Sequence, residues 1–155
     1  MIDLEDKKQE CKNEIDRISI EQLHESTLQI SNQCFEYKKL CVTVIGVIVT
    51  ALLKFSESSS LTEIAFICLV IVLGFWCCDS IAYYYQKSNR ILMGKLTIGI
   101  KERHGIEVST APAQGLSWFK AIFNPSMALY MYIAVMCLLA VIYGLLEPIK
   151  VLFEQ

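Results

Sequence analysis

The sequence lacks the local signatures of a catalyst. No nucleophile stands with a partnering base, no glycine-rich phosphate loop is present, and no cluster has the spacing of metal ligands. The two histidines, His24 and His104, stand alone in polar surroundings. Arg103-His104 does not have the spacing of a paired ribonuclease motif. Neither enzymatic activity nor a cofactor nor a bound metal is expected. Charge of one sign is not in excess either: 14 Lys and Arg against 16 Asp and Glu leave a net charge of −2, which argues against nucleic acid as a partner. The seven cysteines (Cys11, Cys34, Cys41, Cys68, Cys77, Cys78 and Cys137) have no metal-like pairing, and the neighbours Cys77 and Cys78 point to different sides of a helix. They read as small apolar packing residues rather than a metal or redox site. The N-terminus is acidic and polar with no apolar stretch behind it, so no cleavable signal peptide is expected.

What the chain does have is three apolar blocks: Leu40–Leu53, Ile64–Tyr85 and Met127–Leu146. A spanning helix needs roughly 20 mostly apolar residues. The third block meets this without a charge, and the second meets it with Asp79 inside. The first is short, but becomes long enough if Phe35 and Tyr37 lie at the interface and Lys38, Lys39 and Lys54 snorkel outward. The fold class expected is therefore all-α: a polytopic membrane protein with three transmembrane helices and lipid as a partner.

Basic residues set the orientation. Lys87, Arg90, Lys95, Lys101, Arg103 and Lys120 lie between the second and third blocks, whereas Phe55–Thr62 holds Glu57 and serines without Lys or Arg. The positive-inside bias puts Gln86–Ser126 and the N-terminal arm in the cytoplasm, and the Ser56–Ser60 turn and the Glu147–Gln155 tail outside. Four parts follow: a cytoplasmic helical arm (1–37), a transmembrane hairpin with a cytoplasmic helix extension (38–104), a loop and interfacial turn (105–125), and a third span with a short outer tail (126–155).

The arm from Leu4 to Tyr37 has no Gly or Pro and is rich in helix formers. Leu23, Thr27, Ile30, Cys34, Tyr37, Cys41, Val44 and Ile48 alternate spacings of three and four, the mark of a helix facing a helix. Upstream, Leu4, Cys11, Ile15 and Ile18 form an offset stripe, which points to a break or bend near Ser19. Ile81, Tyr84, Ser88, Ile91, Lys95 and Ile98 carry the second helix onward to about Arg103 or His104, with a stop at Gly105. The first two helices then form a long antiparallel hairpin extending into the cytoplasm. Its acidic arm faces a basic extension made by Lys87, Arg90, Lys95, Lys101 and Arg103. After Gly105 the chain reads as a loop through Val108–Gly115. Trp118, Phe119 and Lys120 read as an interfacial turn, with Trp76, Trp118 and Lys120 as interface anchors. Asn124 or Ser126 caps the third span, and Pro148 ends or kinks it.

Asp79 is the polar site worth weighing, because an acid near hydrocarbon is costly. It reads either as lining a polar seam or gate with Tyr83, Tyr84 and Tyr85, or as an anchor at the cytoplasmic interface; the anchor is the simpler reading. Lys38 and Lys39, on the neighbouring helix at about the same depth, are its expected partners.

Phe75-Trp76-x-x-Asp79, followed by tyrosines and then Lys87 and Arg90, resembles a pattern in small bacterial membrane proteins. Ser117-Trp118-Phe119-Lys120-Ala121-Ile122-Phe123-Asn124-Pro125-Ser126 is similar to the segment those proteins carry before their last span. The spanning hairpin with a long cytoplasmic helix resembles the SLATT class of two-span effectors, here with an additional third span. That resemblance implies a bacterial inner-membrane effector that forms homo-oligomers and damages or depolarises the membrane in antiphage defence, with a cytoplasmic sensor protein as a further partner. The N-terminus is expected in the cytoplasm and the C-terminus outside. Two alternatives stay open: a structural or adaptor subunit docking a cytoplasmic partner through its arm, and a small oligomeric ion channel.

Overall fold

A computed structural model describes residues 2–55, 60–107, 115 and 117–153, with the backbone alone at 2, 3, 55 and 147–153. All regular structure among them is helical: α1 (Ile2–Phe55), α2 (Leu61–Arg103), a short α3 (Trp118–Ile122), a 3-10 turn (Pro125–Met127) and α4 (Ala128–Phe153). The expected outer turn at 56–59 and most of the Val108–Gly115 loop lie outside the described residues.

The helix ends have local causes. Ser60 and Glu63 form a capping box at the start of α2: the Ser60 hydroxyl accepts from Glu63 N at 3.2 Å, and Ser60 N donates to the Glu63 carboxylate at 3.4 Å. At the other end, Gly105 takes φ 69°. Ile106 N then donates to Lys101 O and Gly105 N to Glu102 O, both at 3.0 Å, the paired bonds of a glycine stop. The helix ends at Arg103, as its sequence leads one to expect. The Asn124 side chain accepts from Ser126 N at 3.3 Å and so caps the 3-10 turn that leads into α4. Three local expectations are corrected. No break occurs near Ser19: α1 is continuous, and the Ser19 hydroxyl is accommodated within it by donating to Ile15 O at 2.9 Å. The aromatic stretch at Trp118 is a helical turn, α3. Helix α4 continues through Pro148 to Phe153, although proline supplies no N–H to the carbonyl of Gly144.

The chain divides into two units, Met1–Gln33 with Ala82–Trp118, and Cys34–Ile81 with Phe119–Gln155. In the first unit α1 and α2 run antiparallel. Asn89 donates to Ser26 at 3.3 Å, and Arg103 reaches Asn13 at 2.6 Å and ion-pairs with Asp16. The packed face of α1 here is Asn13, Asp16, Ile20, Leu23, Thr27 and Ile30, all buried or half-buried. Its spacing alternates three and four without a break, which removes any need for a bend. Leu4, Cys11, Ile15 and Ile18, the expected upstream stripe, are exposed instead. On α2 the packed face is Ala82, Gln86, Asn89, Met93, Leu96, Ile100 and Arg103, while Ile81 and Lys95 of the expected rhythm are exposed. Of the basic extension, Arg103 makes the expected pairing with the acidic arm. Lys87, Arg90, Lys95 and Lys101 have no ion pair among the described residues.

In the second unit the buried apolar set is mostly small on α1 and α2 (Cys41, Ile64, Ala65, Cys68, Val72) and larger at Met127 in the 3-10 turn and Tyr130 in α4. Helix α3 is tied on by Trp76, whose indole N–H donates to Ile122 O at 3.0 Å and whose ring meets Phe123 edge-on. Two helices are long and apolar enough to cross a membrane, at Leu61–Arg103 and Pro125–Leu146. Only 33 % and 11 % of their most apolar stretches is buried, against the mostly buried state of a soluble core helix. Phe66, Val70, Tyr132, Val135, Leu139 and Tyr143 are exposed, a surface that water penalises and lipid does not. The first apolar block lies within α1 but is bordered by Lys38, Lys39 and Lys54, which shortens its uncharged run.

Helix α4 approaches the start of α2 closely at one point. A Cβ added at Gly144 would lie 3.2 Å from the Thr62 Cβ and overlap its hydroxyl. Gly144→Leu is therefore expected to destabilise the second unit by about 1–3 kcal/mol. Thr62→Ala is expected to recover part of that for Gly144→Ala, as read by unfolding in mixed micelles.

Candidate functional site

The second unit places one ion pair among apolar helices. Asp79 on α2 is 0 % exposed, and Lys38 on α1 donates to its Oδ2 at 2.6 Å. Lys38 Nζ also lies 3.4 Å from Cys34 O, within its own helix turn, and 5.9 Å from the centre of the Tyr130 ring on α4. Three helices thus converge on one carboxylate. The pairing follows from antiparallel packing, which brings the last polar turn of α1 before its apolar block level with Asp79.

The cluster is not fully satisfied. Asp79 Oδ1, the Ser80 hydroxyl and the Tyr130 hydroxyl are buried without a well-formed hydrogen bond among the described residues, although the Cys34 thiol and the Tyr130 hydroxyl both stand beside the Asp79 carboxylate. Each such group ordinarily costs about 1–3 kcal/mol when buried unpaired. Cys34 precedes the first apolar block, and burial, reinforced by the neighbouring Asp79 carboxylate, pushes its thiol up to about 12. That thiol is therefore protonated at neutral pH and is a poor nucleophile. Among the described residues no three His, Cys, Asp or Glu side chains are grouped as a metal site requires. The arrangement holds a charge pair and incompletely bonded polar atoms in a buried setting. It fixes helix register and offers a polar point inside an apolar unit.

Of the residues singled out from sequence, Asp79 is at the centre and Lys38 is its partner. Lys39 is turned elsewhere, paired with Glu36 at 2.7 Å and set over the Phe35 ring at 4.5 Å. The cluster's tyrosine is Tyr130 rather than Tyr83, Tyr84 or Tyr85. Those three belong to the first unit, where Tyr84 meets Tyr85 and Trp118 edge-on at 6.1 and 5.3 Å. Lys87, Arg90, Lys95, Lys101 and Arg103 also lie in the first unit. Trp76 is half-buried with its N–H used, while Trp118 and Lys120 are exposed. Tyr130, Ser80 and Cys34 were missed. Tyr130 had a signal: it is a polar-tipped residue in the first turn of a span that begins on the side where Asp79 lies.

The two halves of the ion pair are unequally buried, with side-chain exposure of 19 % for Lys38 and 0 % for Asp79. A lone Lys38 has a route outward; a lone Asp79 has none. Lys38→Met is therefore expected to cost about 3–5 kcal/mol and Asp79→Asn about 1–3 kcal/mol. The double variant Lys38→Met/Asp79→Leu should recover most of the loss. Equal penalties for the two single variants in micelle unfolding would contradict this asymmetry.

No protein-family model matches the chain, and no curated protein or solved structure is significantly similar to it.

Proposed function

We propose that this chain is a non-enzymatic bacterial inner-membrane protein with three spanning helices, which self-associates and acts by making the membrane permeable in antiphage defence. The observation that carries the membrane reading is the shared level of Lys38, Asp79 and Tyr130. From Asp79 back to Thr62 is 17 residues of helix, roughly 25 Å at 1.5 Å per residue, against a hydrocarbon core of roughly 30 Å. From Lys38 to Phe55 is the same length, so the short apolar block of α1 runs level with α2 and α4. A third span follows once Lys38 is neutralised by Asp79 and Lys54 reaches the opposite interface. The N-terminus is then on the cytoplasmic side and the C-terminus outside.

Self-association is supported by the exposed apolar faces of α2 and α4 and by the polar cluster left incomplete within one copy. Closed symmetric assemblies are the usual solution for such small spanning units. The effector role is supported by the resemblance of the spanning hairpin, with its long cytoplasmic helix, to the SLATT class. In this reading Asp79 and Lys38 set the packing of each copy, and the assembled helices form the permeable path.

Induced expression in bacteria, followed with a potential-sensitive dye, tests the reading. Wild type is expected to depolarise the membrane on induction or on phage infection, and Asp79→Asn to weaken that response at equal protein level. An unchanged potential and unchanged growth under both conditions would sink the effector role. Recovery of a stoichiometric cytoplasmic partner, with permeability unaltered, would favour the adaptor instead.

A further inference from the structure

On the flank of the first unit, Tyr83, Gln86, Lys87, Arg90 and Ile91 of α2 line an open cavity of about 370 Å³. That is within the range of about 300–1,000 Å³ usual for small-ligand sites. Two cations face one another across a single helical turn, and neither has a carboxylate within ion-pair distance among the described residues. Gln86 is 7 % exposed, so it is more than nine-tenths buried, yet its amide has no hydrogen-bond partner among the described residues. Its polar atoms are not sealed off, so they reach the space the cavity opens. Tyr83 adds a hydroxyl on the same wall, likewise without a partner among the described residues. An amide held in the wall of an open cavity, with no partner in its own protein, is placed to serve a ligand oxygen.

We propose that Tyr83, Gln86, Lys87 and Arg90 form a binding site for a phosphate-bearing anion, the headgroup of an acidic phospholipid. The ligand chemistry follows from the donors. A planar guanidinium, an ammonium, an amide and a hydroxyl within two helical turns suit a tetrahedral oxyanion with several acceptor oxygens. The lipid source follows from position, and this part rests on the membrane reading above. The apolar block of α2 ends at Tyr85, so Lys87 and Arg90 emerge where hydrocarbon gives way to headgroups, on the cytoplasmic face. Ile91 and the Tyr83 ring supply the apolar wall against which a glycerol backbone packs. Basic residues immediately beyond a span attract anionic lipid in general. This site adds an amide and a hydroxyl fixed on a concave wall to that attraction, and so discriminates a bound headgroup from a diffuse ion cloud.

The test uses the full chain reconstituted in phosphatidylcholine vesicles, with spin-labelled phosphatidylglycerol and spin-labelled phosphatidylcholine as alternative probes. The fraction of motionally restricted probe is read by electron paramagnetic resonance. Wild type is expected to prefer the acidic lipid by roughly thirtyfold, from two cations near the surface. Lys87→Gln/Arg90→Gln should abolish the preference, and Gln86→Leu should reduce it with the charge unchanged. Lys101→Gln, which removes a charge away from the cavity, should leave it intact. Retained preference in the double variant, or equal losses from Lys101→Gln and Gln86→Leu, would overturn the site. Millimolar inorganic phosphate that displaces the labelled lipid would assign the same residues to a free anion and overturn the lipid source. Vesicle flotation separates the two readings. A chain that does not float refutes the membrane reading and the lipid source with it, and phosphate titration of that soluble chain then decides the anion site.

Discussion

A carboxylate with no exposed surface, held by one lysine between apolar helices, is the constraint around which the second unit is organised. Asp79 cannot be left alone in such a place, and Lys38 can reach it only if α1 and α2 are antiparallel and in one register. Shifting either helix by one residue would rotate the partner away and leave a charge without compensation. Buried pairs of this kind contribute little net stability, because desolvation offsets attraction. Their effect is selective: they penalise every alternative packing. The small residues nearby (Cys41, Ala65, Cys68 and Val72) let the helices come close but carry little directional information. The charge pair supplies what they lack.

The first unit uses a different device for the same end. Its seam contains Asn13, Asp16, Thr27, Gln86, Asn89 and Arg103, positions where a simple apolar pattern would put aliphatics. Arg103 binds Asn13 and ion-pairs with Asp16, and its carbonyl accepts from Gln9 at 2.9 Å, so one residue ties down the end of α2. Asn89 and Ser26 mark register further along. Polar seam residues exchange stability for a defined alignment, a role well attested for polar groups in coiled-coil cores. They also leave the flanks of α2 to carry Lys87 and Arg90 without ion-pair partners among the described residues.

Much of this arrangement was legible in the residues. The eight-residue seam from Leu23 to Ile48 is buried or half-buried at every position, because an alternation of three and four is a direct imprint of helix facing helix. The stop at Gly105 and the reach of Lys38 to Asp79 were legible for similar reasons, one conformational and one a matter of depth. Where the reading went astray, polarity was the cause. Asn13 and Asp16 occupy seam positions, so the apolar stripe of Leu4, Cys11, Ile15 and Ile18 lies off the packed face, and α1 runs through Ser19 without the break that its offset suggests. Tyr130 was hidden because it was one tyrosine among many, and its significance depends on which helix stands opposite. The Ser60–Glu63 capping box was present in plain sequence and marks where α2 begins. Local preference has Pro148 end or kink the third span, and α4 does not end there but continues to Phe153.

Helix α1 carries the account's central claim, that its short apolar block crosses the bilayer level with α2 and α4. Tags placed at the two ends of the chain, probed with a membrane-impermeant protease in intact spheroplasts and after lysis, test it most directly. Three crossings put the ends on opposite faces: the C-terminal tag is cleaved in intact spheroplasts and the N-terminal tag only after lysis. Both ends on one face would contradict the third crossing, and extraction of the chain into buffer without detergent would contradict the membrane reading altogether.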